Sequence, residues 1–295
     1  MDVASLLFGF SKGLYANWLM YKPDNLLVDC GEGAATQLGN MNYGVERVLL
    51  THGHIDHIAG LPTLLWSRAA GMGDREKPLV LYHPAGDEYL ADMRALLDKT
   101  AHRLTYELTW HPLEAGEEIA LSAQRTVKTW ATRHMRDKRN GSWKLTLGYK
   151  VVTTRRRLKA EFAHLSQDEL RALAQQEGRA AMDARMEAYE ATLAAFGGDG
   201  YALDADDVMN AELLVHEATL LDPADRKDAA HATLDEAVET ATRARVKCLL
   251  LNHLSGRYSR EDVERAAQES MARHAVSFPV WCLHRNRLIR FGGEA

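Results

Sequence analysis

The stretch VLLTHGHIDHIAGLP (48–62) places three histidines and an aspartate within six positions, directly after an apolar run. His52, His54, Asp56 and His57 stand where a strand-like segment ends, and a turn with Gly60 and Pro62 follows. A lone histidine beside an apolar segment is ordinarily a satisfied core or surface residue. Four ligand-type side chains in six positions differ, because each would need its own buried partner and an unpaired buried charge is costly. A metal ion satisfies them together, since neutral imidazoles and carboxylates are the ligands of zinc and similar divalent ions. A six-residue loop cannot complete two four-coordinate sites alone, so further ligands must come from other strand ends. Residues that share this placement, after a β-like run or beside glycine, are His134, Asp199, His216, His231 and His253. The remaining histidines, His83, His102, His111, His164, His274 and His284, read as structural or surface residues, although His83 also stands at a strand end.

Outward from 48–62, β-like runs occupy 25–30, 45–51 and 78–84, with helical patterns at about 60–70 and 87–99. A second β-rich block runs from 104–110 through 125–132 to 145–154. Residues 166–196 read as helical, opened by a Ser166/Glu169 capping box and interrupted at Gly178. Strands return at 212–218 and 247–253, separated by a helix whose capping box is Thr233/Glu236. A last helix at about 259–274 precedes two closing strands. With neither repeats nor a Pro/Ser-rich linker, one domain over 1–295 is expected, carrying a helical insertion at about 155–196. Two blocks of strands, each followed by helices, imply an α/β protein with two sheets face to face and helices outside, a four-layer αββα sandwich.

Hydrophobic residues make up 46% and charged residues 26% of the 295, as in a soluble globular protein with a large core. No apolar run approaches the roughly 18–20 residues of a membrane helix. Asp2 and Lys12 do not suit a secretory leader. The three separated cysteines, Cys30, Cys248 and Cys282, are an odd number without pair spacing, so a reducing, cytoplasmic location is expected. A net charge of −5 argues against bulk nucleic-acid binding. Basic residues nevertheless cluster between Arg133 and Lys159, where Asp137 is the sole acid. Such a cluster is either a solvated surface or a local phosphate-binding face, because local potential acts whatever the total charge.

The order of the motifs carries a family resemblance. HGHIDH, preceded by VDCGEGAATQL (28–38), is followed by His134, GDG (198–200), HEAT (216–219), HAT (231–233) and HLSGRY (253–258). This series resembles the metallo-β-lactamase fold and, more narrowly, ribonuclease Z, the endonuclease that trims tRNA 3′ ends. The resemblance implies a first metal held by His52, His54, His134 and Asp199. A second would be held by Asp56, His57, Asp199 and His253, with Asp199 bridging. It further implies a metal-bridging hydroxide as nucleophile, oriented by Asp56. His231, held by Glu217, would protonate the departing ribose 3′ oxygen, and His216 would support the site from behind. Zinc suits the His-rich ligation, with manganese as the alternative. On this resemblance the protein is a two-metal phosphodiesterase and endoribonuclease that cleaves the 3′ trailer of precursor tRNA, acting as a homodimer without a membrane partner.

The chain departs from the family pattern at four places. Residues 8–21 replace the usual N-terminal glycine-threonine loop. GDG and HAT lack the hydroxyls of the family's GDT and HST. Residues 155–196 contain no proline, unlike the Gly-Pro-rich arm that grips tRNA. The segment between His134 and Gly148–Tyr149 is longer than the family's link. Another phosphodiester, such as a cyclic nucleotide, therefore stands as the alternative substrate, ahead of a thioester or lactone. Arg155, Arg156 and Arg157 are the candidates for phosphate contacts in place of the arm.

Overall fold

The computed structural model describes residues 2–71, 77–226 and 231–292. Its first sheet is built from β1 (Leu7–Lys12), β2 (Ala16–Tyr21), β3 (Leu26–Val28), β4 (Arg47–Leu49), β5 (Leu79–Pro84) and β6 (Leu108–Leu113), in that order. β1 to β3 pair antiparallel and β3 to β6 parallel. The second sheet holds β7 (Glu118–Ala120), β8 (Arg125–Thr132), β9 (Thr146–Leu158), β10 (Met186–Phe196), β11 (Leu214–Glu217), β12 (Leu249–Asn252), β13 (Val280–His284) and β14 (Arg287–Phe291). Its β10 to β13 are parallel, flanked by antiparallel pairs on both sides. The helices are α1 (Val3–Leu6), α2 (Ala34–Leu38), α3 (Ile55–Ile58), α4 (Leu61–Gly71), α5 (Glu88–Asp98), α6 (Gln167–Ala184), α7 (Leu234–Arg243) and α8 (Arg260–Arg273).

Strand alternation explains the layering. In the run 48–50, Val48 and Leu50 pack among Leu61, Leu64 and Leu65 of α4, whereas Leu49 faces Tyr149, Val151 and Phe196 of the opposite sheet. β12 repeats this, with Leu250 toward the first sheet and Leu249 and Leu251 against Val238 of α7 and Val263 of α8. Successive side chains of a strand point to opposite faces, so a strand buried on both reads as an unbroken apolar run. Three apolar interfaces result, helix on sheet, sheet on sheet and sheet on helix, which is the expected αββα sandwich. The capping boxes of Ser166/Glu169 and Thr233/Glu236 both form. Among the described residues, no helix is long and apolar enough to cross a membrane.

Three expectations are corrected. The run near 104–110 does not belong to the second block: its strand, β6, lies parallel to β5 at the edge of the first sheet. Residues 8–21, read only as an altered loop, form most of the β1–β2 hairpin. Gly9 and Ser11 hide its pattern from a search for β-branched runs, although burial along β1 alternates. The helical reading of 166–196 holds only to Ala184, with the expected break at Gly178 (φ 77°, ψ 177°). Residues 186–196 are rich in helix formers yet pair with β9, a case of tertiary pairing overriding weak propensity. β9 and β10 thus make a ribbon whose outer half becomes exposed, and α6 at its tip buries no residue.

Candidate metal centre

Every expected ligand follows the C-terminal end of a strand. His52, His54, Asp56 and His57 follow β4, His134 follows β8, Asp199 follows β10, and His253 follows β12. Ligand sites in α/β proteins lie at these strand ends. His57, His52, His134, Asp199 and His253 are all buried. The imidazole of His134 places Nε2 3.0 Å from Nδ1 of His54. Asp199 Oδ2 lies 3.3 Å from His57 Nε2, 3.2 Å from His253 Nε2 and 4.0 Å from His134 Nε2. Asp56 Oδ2 is 3.3 Å from His253 Nε2 and accepts a hydrogen bond from Leu14 N (3.1 Å).

Two acceptor hubs aim these imidazoles. At the end of β3, Asp29 accepts from Thr51 N (2.8 Å) and from the Thr51 hydroxyl, and its Oδ2 lies 2.7 Å from His57 Nδ1. Thr51 Oγ1 in turn lies 2.9 Å from His52 Nδ1. With both Nδ1 atoms engaged, the Nε2 atoms of His52 and His57 point inward. The second hub is Glu217. Its Oε1 accepts from Gly200 N (2.7 Å) and lies 2.8 Å from His231 Nδ1, while Oε2 accepts from Thr219 N and Oγ1. The Thr219 oxygen is also 2.8 Å from His253 Nδ1. Such outer hydrogen bonds set the tautomer and orientation of ligating histidines.

The donor set fits divalent metal. His52 Nε2 and Asp199 Oδ1 are buried without a hydrogen-bond partner among the described residues, which is costly unless a cation meets them. The triads His52/His54/His134 and Asp56/His57/His253 each bring their ligand atoms within 4.8 Å of one another, and Asp199 joins His52 and His57 in a third. Burial pushes Asp199 upward, but His253 and His57 outweigh it and hold the carboxyl well below the usual range. Burial also opposes charge on His231, yet Glu217 raises its pKa to about 9. The Glu217 carboxylate at Nδ1 thus favours the charged form of an imidazole that stands beside the ligand cluster.

The glycines of GDG have a steric cause. Gly198 has φ 62°, and a Cβ there would sit 2.9 Å from the Thr51 Cβ. At Gly200, with φ 155°, a Cβ would meet the Arg133 carbonyl at 2.9 Å. His216 does not touch the ligands: its Nδ1 lies 2.7 Å from the Glu217 carbonyl, and its Nε2 accepts from Leu203 N. It ties β11 to the turn that carries Asp199. Arg155, Arg156 and Arg157 lie on the ribbon, away from the cluster, each paired with a carboxylate: Glu212 (2.6 Å), Asp183 (2.8 Å) and Glu187 (2.7 Å). Asp29, Thr51 and Thr219 carry roles beyond those the sequence motifs assign. An aspartate at the end of the apolar run LLVDC and the threonine of HEAT were the available signals.

Comparison with known proteins agrees with this geometry. Residues 24–165 match the family model of the beta-lactamase superfamily domain. Over 280 residues the chain is 31% identical to the ribonuclease Z of Thermococcus kodakarensis, an alignment covering 88% of this chain and 84% of that protein. The chain belongs to the ribonuclease Z family. It is 31% identical to the Bacillus velezensis ribonuclease Z, over 83% of both chains. Among solved structures, human short-form tRNase Z shares the fold with a TM-score of 0.60 at 22% identity, covering 85% of this chain and 93% of that one. The metallo-beta-lactamase fold protein YhfI of Bacillus subtilis matches 96% of this chain and 98% of its own length, with a TM-score of 0.64 at 17% identity. As a ribonuclease Z family member the protein is a metal-dependent hydrolase, and its His/Asp groups are placed for divalent metal.

Proposed function

We propose that this protein is an endoribonuclease that removes the 3′ trailer of precursor tRNA, working in the cytoplasm as a homodimer built from one catalytic domain. The Asp199-centred ligand cluster beside the Glu217–His231 pair is the observation that carries this reading. His52, His54, His134 and Asp199 would hold one divalent ion and Asp56, His57, Asp199 and His253 the other, zinc foremost and manganese as the alternative. Bound there, two such ions supply Lewis-acid activation of water and charge neutralisation at the phosphate. Asp56, fixed by the Leu14 amide, orients the attacking water and accepts its proton. Glu217 favours the charged form of His231 and occupies its Nδ1, leaving Nε2 to protonate the departing ribose oxygen. Thr219, bonded to Glu217 and His253, keeps the acid in register with the ligands.

The ribbon of β9 and β10 with α6 emerges where the family's arm stands in chain order, and Arg155, Arg156 and Arg157 are its candidate RNA contacts. Their carboxylate partners offset much of their field. For the dimer, Ile55, Tyr89 and Leu96 form an exposed apolar group beside the site.

The test is a substrate panel on one zinc- or manganese-loaded preparation. Precursor tRNA with a 3′ trailer is expected to be cut at the trailer junction. A thioester and a lactone are expected to turn over at least about 10²-fold more slowly, because neither expels the unactivated ribose oxygen that a positioned acid serves. A cyclic nucleotide, which does expel one, is expected to be cut more slowly than precursor tRNA. Preferred hydrolysis of a cyclic nucleotide would move the same site to that substrate class.

A further inference from the structure

The long link after His134 forms an ordered hairpin. Lys144 N donates to the Met135 carbonyl (2.8 Å), Asp137 N to Ser142 O (2.8 Å) and Gly141 N to Asp137 O (2.7 Å). Arg136 and Trp143 face each other in an isolated antiparallel bridge. Gly141, at φ 72°, allows the turn. The charges of the hairpin divide into two sets. Arg139 chelates Asp137 within the hairpin, and Lys144 Nζ reaches Glu88 Oε2 (2.9 Å) at the start of α5, which anchors the hairpin to the body. Arg136 and Lys138 form no ion pair among the described residues, although Arg136 Nη1 donates to the Gly141 carbonyl (3.4 Å). Both, with the anchored Lys144, line the cavity of about 450 Å³ that also contains His54, Asp56, Asp199 and His231.

An aromatic wall joins this hairpin to the acid. The Arg136 guanidinium sits 4.1 Å from the centre of the Trp143 ring, and Trp143 meets Tyr201 edge-on at 5.7 Å. Arg226 lies 5.1 Å from the Tyr201 ring centre and donates from Nε to the His231 carbonyl (2.9 Å). Tyr201 N donates to the Arg133 carbonyl at the base of the hairpin (3.1 Å), and the Tyr201 ring lines the cavity. A single scissile phosphate is already served by the ligand cluster. Two further cations without a carboxylate partner among the described residues, and an aromatic face in the same cavity, suit a second phosphate and the base beside it, because ring faces stack bases while Lys and Arg neutralise phosphates.

We propose that the 135–144 hairpin is a clamp for a single-stranded RNA segment next to the cut, with Arg136 and Lys138 holding the neighbouring phosphate and Tyr201 offering its ring to a base. This rests on the phosphodiesterase reading and narrows its substrate to an oligonucleotide, since a cyclic nucleotide has no neighbouring phosphate. The test is binding of a fluorescent single-stranded RNA 12-mer to the metal-loaded protein, followed by anisotropy between about 50 and 200 mM salt. In the Arg136→Ala/Lys138→Ala variant the expected Kd rises roughly tenfold, and the slope of log affinity against log salt falls by about 1.4, two released contacts at about 0.7 each. The charge-conserving Arg136→Lys/Lys138→Arg variant should keep the wild-type slope, which separates lost charge from a damaged fold. An unchanged slope in the double-alanine variant overturns the clamp. So does failure of the wild type to bind the 12-mer, or a slope that falls only when Arg155, Arg156 and Arg157 are replaced by glutamate. Wild-type binding with the expected slope but no trailer cleavage would remove the tRNA reading and leave the clamp standing.

Discussion

His231→Gln is expected to lower turnover of precursor RNA by about 10²–10⁴-fold, the range a positioned general acid contributes, with metal content unchanged. The prediction has a chemical signature beyond loss of rate. A ribose oxygen leaves poorly without a proton, whereas p-nitrophenolate leaves readily as an anion. Hydrolysis of bis-p-nitrophenyl phosphate should therefore fall far less than RNA cleavage in the same variant. Glu217→Gln should reproduce this selectivity in milder form, because it removes the carboxylate that raises the His231 pKa to about 9. Equal losses on both substrates would mean that His231 positions rather than protonates.

Asp199→Asn should have the second large effect. The substitution is nearly isosteric, so it removes charge rather than bulk. His57 Nε2 and His253 Nε2 both lie within 3.3 Å of the Asp199 carboxylate, and that residue is 3% exposed, so no water takes over its role easily. Outer-shell partners of metal ligands are worth about 10–100-fold in affinity, and loss of a ligand proposed to be shared by two sites should exceed about 100-fold. Metal retained after dialysis, measured by elemental mass spectrometry, should drop, and RNA cleavage should fall with it. Added zinc at about 100 times its Kd stabilises a protein that binds it only when folded by about 2.7 kcal/mol. The wild type should therefore melt higher with zinc, and the variant should show little of that gain. Wild-type metal content in Asp199→Asn would contradict its placement between the two sites.

Much of this was legible in the residues, for identifiable reasons. Val48 to Leu50 read as a doubly buried strand because both of its faces are apolar, and ligands crowd its end because the strand stops where the core stops. Capping boxes at Ser166 and Thr233 are local chemistry, needing no distant partner, and both formed. What stayed hidden depends on partners far along the chain. β10 carries the helix-forming stretch MEAYEATLAAF, and only its pairing with β9 makes it a strand. β6 follows the helix that also covers β5, and its membership of the first sheet is set by that parallel pairing, not by its own pattern. Asp29 meets Thr51 and His57 from more than twenty positions away, a proximity no spacing announces. Likewise the basic stretch 133–159 reads as one patch, but folding divides it: Arg136 and Lys138 reach the cavity, and Arg155 to Arg157 pair with acids on the ribbon.

The cluster around Asp56 and Asp199 is proposed to cut a tRNA 3′ trailer. Its most direct test is single-turnover cleavage of a precursor tRNA bearing a 3′ trailer, with zinc or manganese, by the wild type and by Asp56→Ala. The wild type is expected to cut at the trailer junction, leaving a 3′-hydroxyl on the tRNA, and the variant to do so at a rate lower by orders of magnitude. Wild-type cleavage matched by Asp56→Ala, or no cut by a metal-loaded wild type, would contradict it.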